Sequence, residues 1–356
     1  MRRAVLPVLV VLIALLVAAR VALPWWLQRY VNRTIDQSPD YDGRVGEVEV
    51  HLLRGAYSIN DLKIVKTKNA APVPFFAGKR VEFALDYRAL TKGALRGEIT
   101  MIEPRLNFVD GETEAEDQTG AGQPWLGIIQ ELYPFRIDKA TVVDGRVHFR
   151  AFHKDPEVDV FLSEVQATLE NLTNIEDKTD ELMATLKVNA KAMRSGDFEL
   201  EMAMDPTSYR PNLQLALRLL NLDVNRLNAL ARAYGQFDFE GGQFDLVAEI
   251  ATKDGFVDGY AKPLFRNVQV ISLEDVKEDN PFEFFWEALV GTVGEVLTNQ
   301  PHDQFGTRVT IEGELDDPRT SVMEIIGNVL KNAFVRAYLP RLEGRTAPAT
   351  RTPEGD

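Results

Sequence analysis

Residues 184–205 read ATLKVNAKAMRSGDFELEMAMD, and a period of two runs through them twice. Ala184, Leu186, Val188, Ala190 and Ala192 alternate with Thr185, Lys187, Asn189 and Lys191. Phe198, Leu200, Met202 and Met204 then alternate with Glu199, Glu201, Ala203 and Asp205. Successive side chains of a strand point to opposite faces, so the stretch predicts antiparallel strands with one apolar and one wet face. The sign recurs downstream in Leu213, Leu215, Leu217 and Leu219, in Phe244, Leu246, Ala248 and Ile250, and in Val309, Ile311 and Leu315. Upstream the sets are shorter: Val48/Val50/Leu52, Tyr57/Ile59, Leu62/Ile64, Val81/Phe83/Leu85, Ile99/Met101, Leu106/Phe108, Val147/Phe149 and Val165/Ala167/Leu169. Turns are expected at Ser195-Gly196-Asp197, Asp205-Pro206, Gly241-Gly242 and Lys253-Asp254-Gly255, and at Asp144-Gly145 between two strands.

Helical spacing is confined to a few segments. Val322, Ile325, Ile326, Val329, Leu330, Ala333, Phe334, Ala337 and Tyr338 recur at i, i+3, i+4 intervals, and Pro340 stops the run. A second helix is expected over 281–298, weakened by Gly291 and Gly294, with short ones at Val224–Tyr234 and Trp125–Tyr133.

At the N-terminus Met1-Arg2-Arg3 precedes sixteen residues, Ala4 to Ala19, without a polar side chain. Ala4–Leu27 predicts a transmembrane helix with its basic stub on the cytoplasmic side. Arg20 then reaches the headgroups, and Trp25 and Trp26 sit at the membrane interface. Val17-Ala18-Ala19 also suits a signal-peptide cleavage site. The apolar run that resumes after Arg20 and the paired Trp favour an uncleaved anchor, and either reading exports the body.

The exported body has no cysteine, so packing rather than disulfides holds it together. A net charge of −14 disfavours nucleic acid and electrostatic adhesion to anionic headgroups. With 45% hydrophobic and 26% charged residues the chain is foldable rather than disordered. Only the acidic loop 110–124 and the Pro/Thr tail 343–356 look loose. The expected order is a stub 1–3, an anchor 4–27, a β region 32–175, a second β region 176–320 carrying helix 281–298, an amphipathic helix 321–342 and the tail.

Catalytic chemistry is missing from this pattern. Four histidines occur, His51, His148, His153 and His302; His148 and His153 are expected on opposite faces as solvated surface, not as metal ligands. Glu199 and Glu201 read as a charged strand face. Gly241-Gly242 lacks the helix and lysine of a phosphate loop, and no G-x-S-x-G elbow occurs. An enzyme, a metal site and a cofactor are therefore not expected, and an exported hydrolase would lack nucleophile and base.

A long sheet with one apolar face must cover that face, either by folding on itself or by leaving a trough for helices or an apolar ligand. Beside a membrane, acyl chains are the available ligand. The candidate walls are Leu186, Val188, Phe198, Leu200, Met202, Leu213, Leu215, Phe244 and Leu246. Met101, Met202 and Met204 add adaptable surface. The face of Val322, Ile325, Ile326, Val329, Leu330 and Phe334 would cap the trough or touch a membrane or partner. A closed core in an anchored scaffold, with a partner on strand edges or on the acidic loop, is the other reading.

The anchor followed by Gly43–Val50 (GRVGEVEV), Gly55–Ile64 (GAYSINDLKI), Val81–Gly93 (VEFALDYRALTKG) and Ala94–Phe108 (ALRGEITMIEPRLNF) resembles the opening of AsmA-like proteins. Phe135–Phe149 (FRIDKATVVDGRVHF) and Val165–Thr173 (VQATLENLT) are similar to the family's second block. Phe305–Pro318 (FGTRVTIEGELDDP) and the terminal helix are similar to its closing block. The resemblance implies a periplasmic body tethered to the inner membrane of a Gram-negative envelope, with a gutter-shaped antiparallel sheet that carries phospholipid. About a dozen to fourteen strands at roughly 4.8 Å would span about 55–70 Å. That is too short to cross a periplasm alone, so delivery to an envelope partner or self-association is expected.

Overall fold

The structure is a computed structural model that describes residues 20, 22–33, 41–51, 54–68, 71–91, 96–113, 115–118, 136–171, 184–205, 212–235, 237–272, 304–306 and 308–314. It is mainly β. Fourteen strands hydrogen-bond into a large, twisted, open sheet with few helices, and the strand pairs are antiparallel. The chain divides into two compact units, 1–147 and 148–356. The division falls earlier than the 175/176 boundary drawn from the sequence, within a strand rather than between two.

The first unit contains β1 (Tyr41–Arg44), β2 (Glu47–His51), β3 (Ala56–Lys66), β4 (Phe76–Leu85), β5 (Arg96–Val109) and most of β6 (Arg136–Ala151). β1 and β2 both pair with β3, one along each half of it, so this edge of the sheet is a broken strand. Its core gathers Val48, Ile59, Val81, Phe83 and Ile99 on one face, as the alternation predicts. Residues 22–33 are helical, and Val31, with Leu27 one turn before it, packs into this core. The helix therefore outlasts the expected anchor end at Leu27, because an i, i+4 apolar pair on its inner side has a sheet to cover. Gln28 Nε2 donates to Gly46 O at 2.9 Å and ties the helix to the β1–β2 bend.

The acidic loop is not loose where it is described. Gln118 is fully buried, bridges Val109 in β pairing and donates from Nε2 to Asn107 O at 3.0 Å. Gly111 N donates to Asp117 Oδ1 at 2.8 Å. Side-chain bonds of this kind let a polar segment satisfy its own backbone and close a compact turn.

The second unit holds β7 (Val158–Glu170), β8 (Ala184–Ala192), β9 (Gly196–Asp205), β10 (Asn212–Asp223), β11 (Phe237–Lys253), β12 (Phe256–Ser272), β13 (Gln304–Gly306) and β14 (Val309–Glu314). Strands β7 to β12 are neighbours in chain order, and β13 and β14 both pair with β12. The expected helix near 224–234 is a 3₁₀ turn at Val224–Leu227, an α turn at Asn228–Leu230 and a π turn at Ala231–Gly235. Asp223 caps it by accepting from Asn225 N at 3.1 Å.

Three expected turns are corrected. Asp144-Gly145 lies inside the continuous β6, where Asp144 takes φ 53. Gly241-Gly242 lies inside β11 at a bulge, with register shifts on either side of Gly241. The β8–β9 turn is Met193–Ser195, and Gly196 already opens β9. Asp254-Gly255 turns β11 into β12 as expected, both residues at positive φ. A left-handed residue serves a bulge as readily as a hairpin, so Asp-Gly and Gly-Gly mark bends here rather than strand ends.

Residues 1–19, the Trp125–Tyr133 segment and helices 281–298 and 321–342, with Val322, Ile325, Ile326, Val329, Leu330 and Phe334, lie outside the described residues. Among the described residues no helix is long and apolar enough to cross a membrane.

Candidate functional site

Register converts the alternation of the second unit into rows. Directly opposed residues of antiparallel strands share a face. Leu169, Leu186, Met202, Leu215, Ile250, Gly259 and Ile311 oppose one another in turn across β7, β8, β9, β10, β11, β12 and β14. A second row runs Ala167, Val188, Leu200, Leu217, Ala248, Ala261 from β7 to β12. A third runs Ala190, Phe198, Leu219, Leu246, Pro263, and a fourth Ala184, Met204, Leu213, Thr252, Val257. Only Thr252 interrupts them with a polar side chain, and its Oγ1 accepts from Leu213 N at 3.2 Å. At about 6.8 Å between rows and about 4.8 Å between strands, the apolar lattice measures roughly 20 by 29 Å.

All nine candidate wall residues stand on this face. Met202, Leu213 and Leu215 are buried, whereas Leu186, Val188, Phe198, Leu200, Phe244 and Leu246 are half-buried. In the first three rows burial deepens from β8 toward β12: Leu186 is half-buried, Met202 8% exposed, Leu215 2% and Ile250 3%. Ile250, Ala248, Val257, Ala261 and Ile311 complete the cluster. Alternation exposes several of these as strand positions, but only register reveals that they continue the same rows.

The opposite face is polar over β8 to β10. Lys187 pairs with Glu201 at 3.3 Å, Arg218 with Glu199 at 3.3 Å and Lys191 with Asp197 at 2.6 Å. Hydrogen bonding to Lys191 holds the Asp197 carboxyl below the usual carboxylate range. Glu199 and Glu201 are thus members of cross-strand ion pairs. On β11 and β12 this second face changes character: Val247, Glu249, Tyr260 and Lys262 are all buried. Arg308 and Lys262 each lie 4.8 Å from the Tyr260 ring centre. Charged letters in an alternating strand do not announce burial, so this second buried face is not legible from the alternation.

Asp245, also buried, accepts from Asn221 N at 2.7 Å and from Arg266 Nη2 at 2.8 Å. It caps the backbone amide freed at the β10 bulge, where Asn221 is left-handed. His148 is likewise not solvated surface. It is buried, 2.7 Å from Asp159 Oδ1 through Nδ1 and stacked on Phe161 at 5.3 Å, whereas His153 is exposed. The ring's apolar face, which sequence spacing ignores, explains its burial.

In the first unit Arg80 organises a polar cluster on the face away from the core. Its Nη1 donates to Glu49 Oε2 at 3.2 Å and its Nη2 to Ser58 Oγ at 2.6 Å. Asn60 Nδ2 donates to Glu49 Oε1 at 3.0 Å, and this bond, with Arg80, lowers the Glu49 pKa. The interface candidates stand on the outer side of the helix over 22–33. Trp25 and Trp26 are more than half exposed, Arg29 lies 3.8 Å over the Trp25 ring, and Tyr30 stacks on Trp26 at 5.5 Å. Arg20 is exposed.

Among the described residues no three His, Asp or Glu side chains converge on a metal site. No protein-family model matches the chain and no curated protein is similar to it.

Proposed function

We propose that the protein binds phospholipid acyl chains on the apolar face of β7 to β10 and passes or holds them at a membrane to which its N-terminus is anchored. The observation that carries this reading is the set of four apolar rows, interrupted by a polar side chain only at Thr252, with Leu186, Val188, Phe198 and Leu200 half-buried on β8 and β9. Half-buried rows of this extent are larger than the scattered apolar contacts of an ordinary surface, and such patches mark interaction with apolar partners. The exposed Trp25, Trp26 and Tyr30 beside Arg29 form the aromatic and basic surface that membrane interfaces favour. The sequence resemblance to AsmA-like proteins agrees, and with it an inner-membrane tether, a periplasmic body, a gutter-shaped sheet and a role in envelope lipid homeostasis.

Lipid content tests it. The chain from Arg20 onward, which keeps Leu27 and Val31 in the core, is expressed into a periplasm, purified without detergent and weighed by native and denaturing mass spectrometry. Stoichiometric phospholipid is expected, and Leu200→Asp should abolish it in a folded protein. A folded wild type without lipid would refute the reading.

One observation favours a second reading. Leu213, Leu215 and Ile250 are 2%, 2% and 3% exposed, so the face around these three residues is a closed core, and on β10 only Leu217 and Leu219 of the rows stay half-buried. An anchored scaffold whose whole face is closed would bind no lipid and would lose its fold with Leu200→Asp.

A further inference from the structure

The sharpest exception to the backbone rules of the second unit is the β8–β9 turn. Met193 and Arg194 are both left-handed, at φ 48 and 60, in a turn closed by Ser195 N donating to Ala192 O at 3.0 Å. Every other described non-glycine residue at positive φ is Asp, Asn or Glu. A turn of this kind ordinarily takes Asn-Gly or Asp-Gly, as Asp254-Gly255 does between β11 and β12. Strained residues persist where their surroundings over-determine them, and they concentrate at ligand sites. Here Met193 N donates to Phe161 O at 2.9 Å, and Phe161 N donates to Met193 Sδ at 3.2 Å. The thioether is thereby fixed against β7, and Arg194 stands exposed with its guanidinium 5.8 Å from the Phe161 ring centre.

These residues line a cavity of about 510 Å³ with Asp223, Asn225 and Arg226. The volume lies within the range of small-ligand sites, roughly 300–1,000 Å³. Two guanidiniums face one carboxylate, and that carboxylate is already engaged by Asn225 N at 3.1 Å and by Arg226 Nε at 3.9 Å. Among the described residues Arg194 forms no ion pair. A local cationic excess in a chain of net charge −14 is unusual. On its inner side Met193 packs in one cluster with Leu219, Leu222 and Phe244, and Leu219 belongs to the third apolar row.

We infer that this cavity seats the phosphate of an anionic lipid headgroup, held by Arg194 and Arg226, while the acyl chains run from Phe161 and Met193 onto the third row. Guanidinium donors bind phosphate by paired, charge-assisted hydrogen bonds, and the aromatic and thioether walls suit the apolar portion next to it. The inference rests on the acyl-chain reading above and adds the headgroup class to it.

The test uses the full-length chain in non-ionic detergent, native mass spectrometry and three probes: phosphatidylglycerol, diacylglycerol with the same chains, and glycerol 3-phosphate. Wild type should retain phosphatidylglycerol about tenfold better than diacylglycerol, the scale of one charge-assisted contact. It should retain no glycerol 3-phosphate. Arg226→Gln should bring the two lipids close to parity. Arg194→Gly should do the same while raising the melting temperature, since glycine adopts φ 60 without strain. A loss in that more stable variant is not a loss of fold. Equal retention of the two lipids by wild type, or a preference unchanged in both variants, overturns the headgroup site and leaves the acyl-chain reading standing. Retention of neither lipid overturns both. Glycerol 3-phosphate bound as tightly as phosphatidylglycerol overturns the lipid source in favour of a soluble phosphate ligand.

Discussion

Truncating two leucines on the same apolar face, Leu215→Ala and Leu200→Ala, should give unequal losses of stability. Leu215 is 2% exposed, flanked across the strands by Met202 and Ile250, themselves buried. Its truncation removes three carbons, about 2.4 kcal/mol at roughly 0.8 kcal/mol each, and the cavity left among immobile neighbours raises the cost to about 3–4 kcal/mol. Leu200 lies one row away and is half-buried between Val188 and Leu217, which are half-buried too. Partly exposed already and with no closed void to leave, it should cost less, about 1–2 kcal/mol. Urea unfolding of the lipid-free chain from Arg20 onward measures both. Saturating phospholipid should then widen the wild-type advantage over Leu200→Ala, because a ligand that binds only the native state adds stability by mass action. Equal costs near 3 kcal/mol would refute the half-open β8–β9 surface, and equal costs near 1 kcal/mol would refute the closed β10–β12 core.

Asp245→Ala should destabilise by about 3–5 kcal/mol in the same assay, since it strands the Arg266 charge and the Asn221 amide it now accepts from. Gly242→Ala should cost about 2–5 kcal/mol, combining backbone strain at φ 114 with a Cβ only 2.6 Å from Val268 Cγ2. Gly241→Ala, with nothing within 4 Å of the new Cβ, should fall within about 0.5 kcal/mol of wild type. Glu49→Gln tests the Arg80 cluster through pH. The lowered folded pKa means that the carboxylate contributes stability above its ordinary value of 4.5 and loses it as pH falls through the folded value. The melting-temperature gap between wild type and Glu49→Gln should therefore be flat from about pH 8 to 6 and close below about pH 4.5. A gap that widens on acidification would refute the assignment.

Strands β8 to β11 were legible because each presents four or five apolar positions at period two, as at Ala184 to Ala192 and Phe198 to Met204, whereas β12, with no such set, was not. Neither were the long strands of the first unit. Tyr57/Ile59 and Leu62/Ile64 belong to one strand, β3, interrupted in phase by left-handed Asp61; Ile99/Met101 and Leu106/Phe108 belong to β5, interrupted at Glu103. A bulge adds a residue and shifts the alternation, so one bent strand reads as two short ones. Of the candidate site, the face of each wall residue followed from its own strand. Which residues of different strands stand in one row depended on register, and register is set by bulges and turns the sequence misplaced. The cavity beside Arg194 was hidden for the same reason, since the Ser-Gly-Asp signal drew the turn away from Met193 and Arg194.

Those bends bear on how an apolar face can be half open. β7, β10 and β12 each carry one left-handed residue, Glu164, Asn221 and Asn267, and each runs twelve residues or more. A bulge bends its strand and increases the local twist, so these strands turn partway along their length instead of running straight. Asp245 and Arg266 hold the bend at Asn221 with polar groups, and the buried part of the face, Leu213 and Leu215 on β10 with Ala248 and Ile250 on β11, lies further along the same two strands, past the half-buried Leu219 and Leu246. β8 and β9 carry no left-handed residue within their spans, and Leu186, Val188, Phe198 and Leu200 are half-buried there. The closed core and the rigid bend thus share β10 and β11, whereas Leu186, Val188, Phe198 and Leu200 lie on the unbent β8 and β9. Relieving the β10 bend should therefore unsettle the closed core before it alters lipid retention at β8 and β9. Asp245→Ala read by hydrogen exchange checks this: amides of β10 and β11 should lose protection first, and uniform loss across β8 to β12 would show that the closed and accessible parts are one cooperative body.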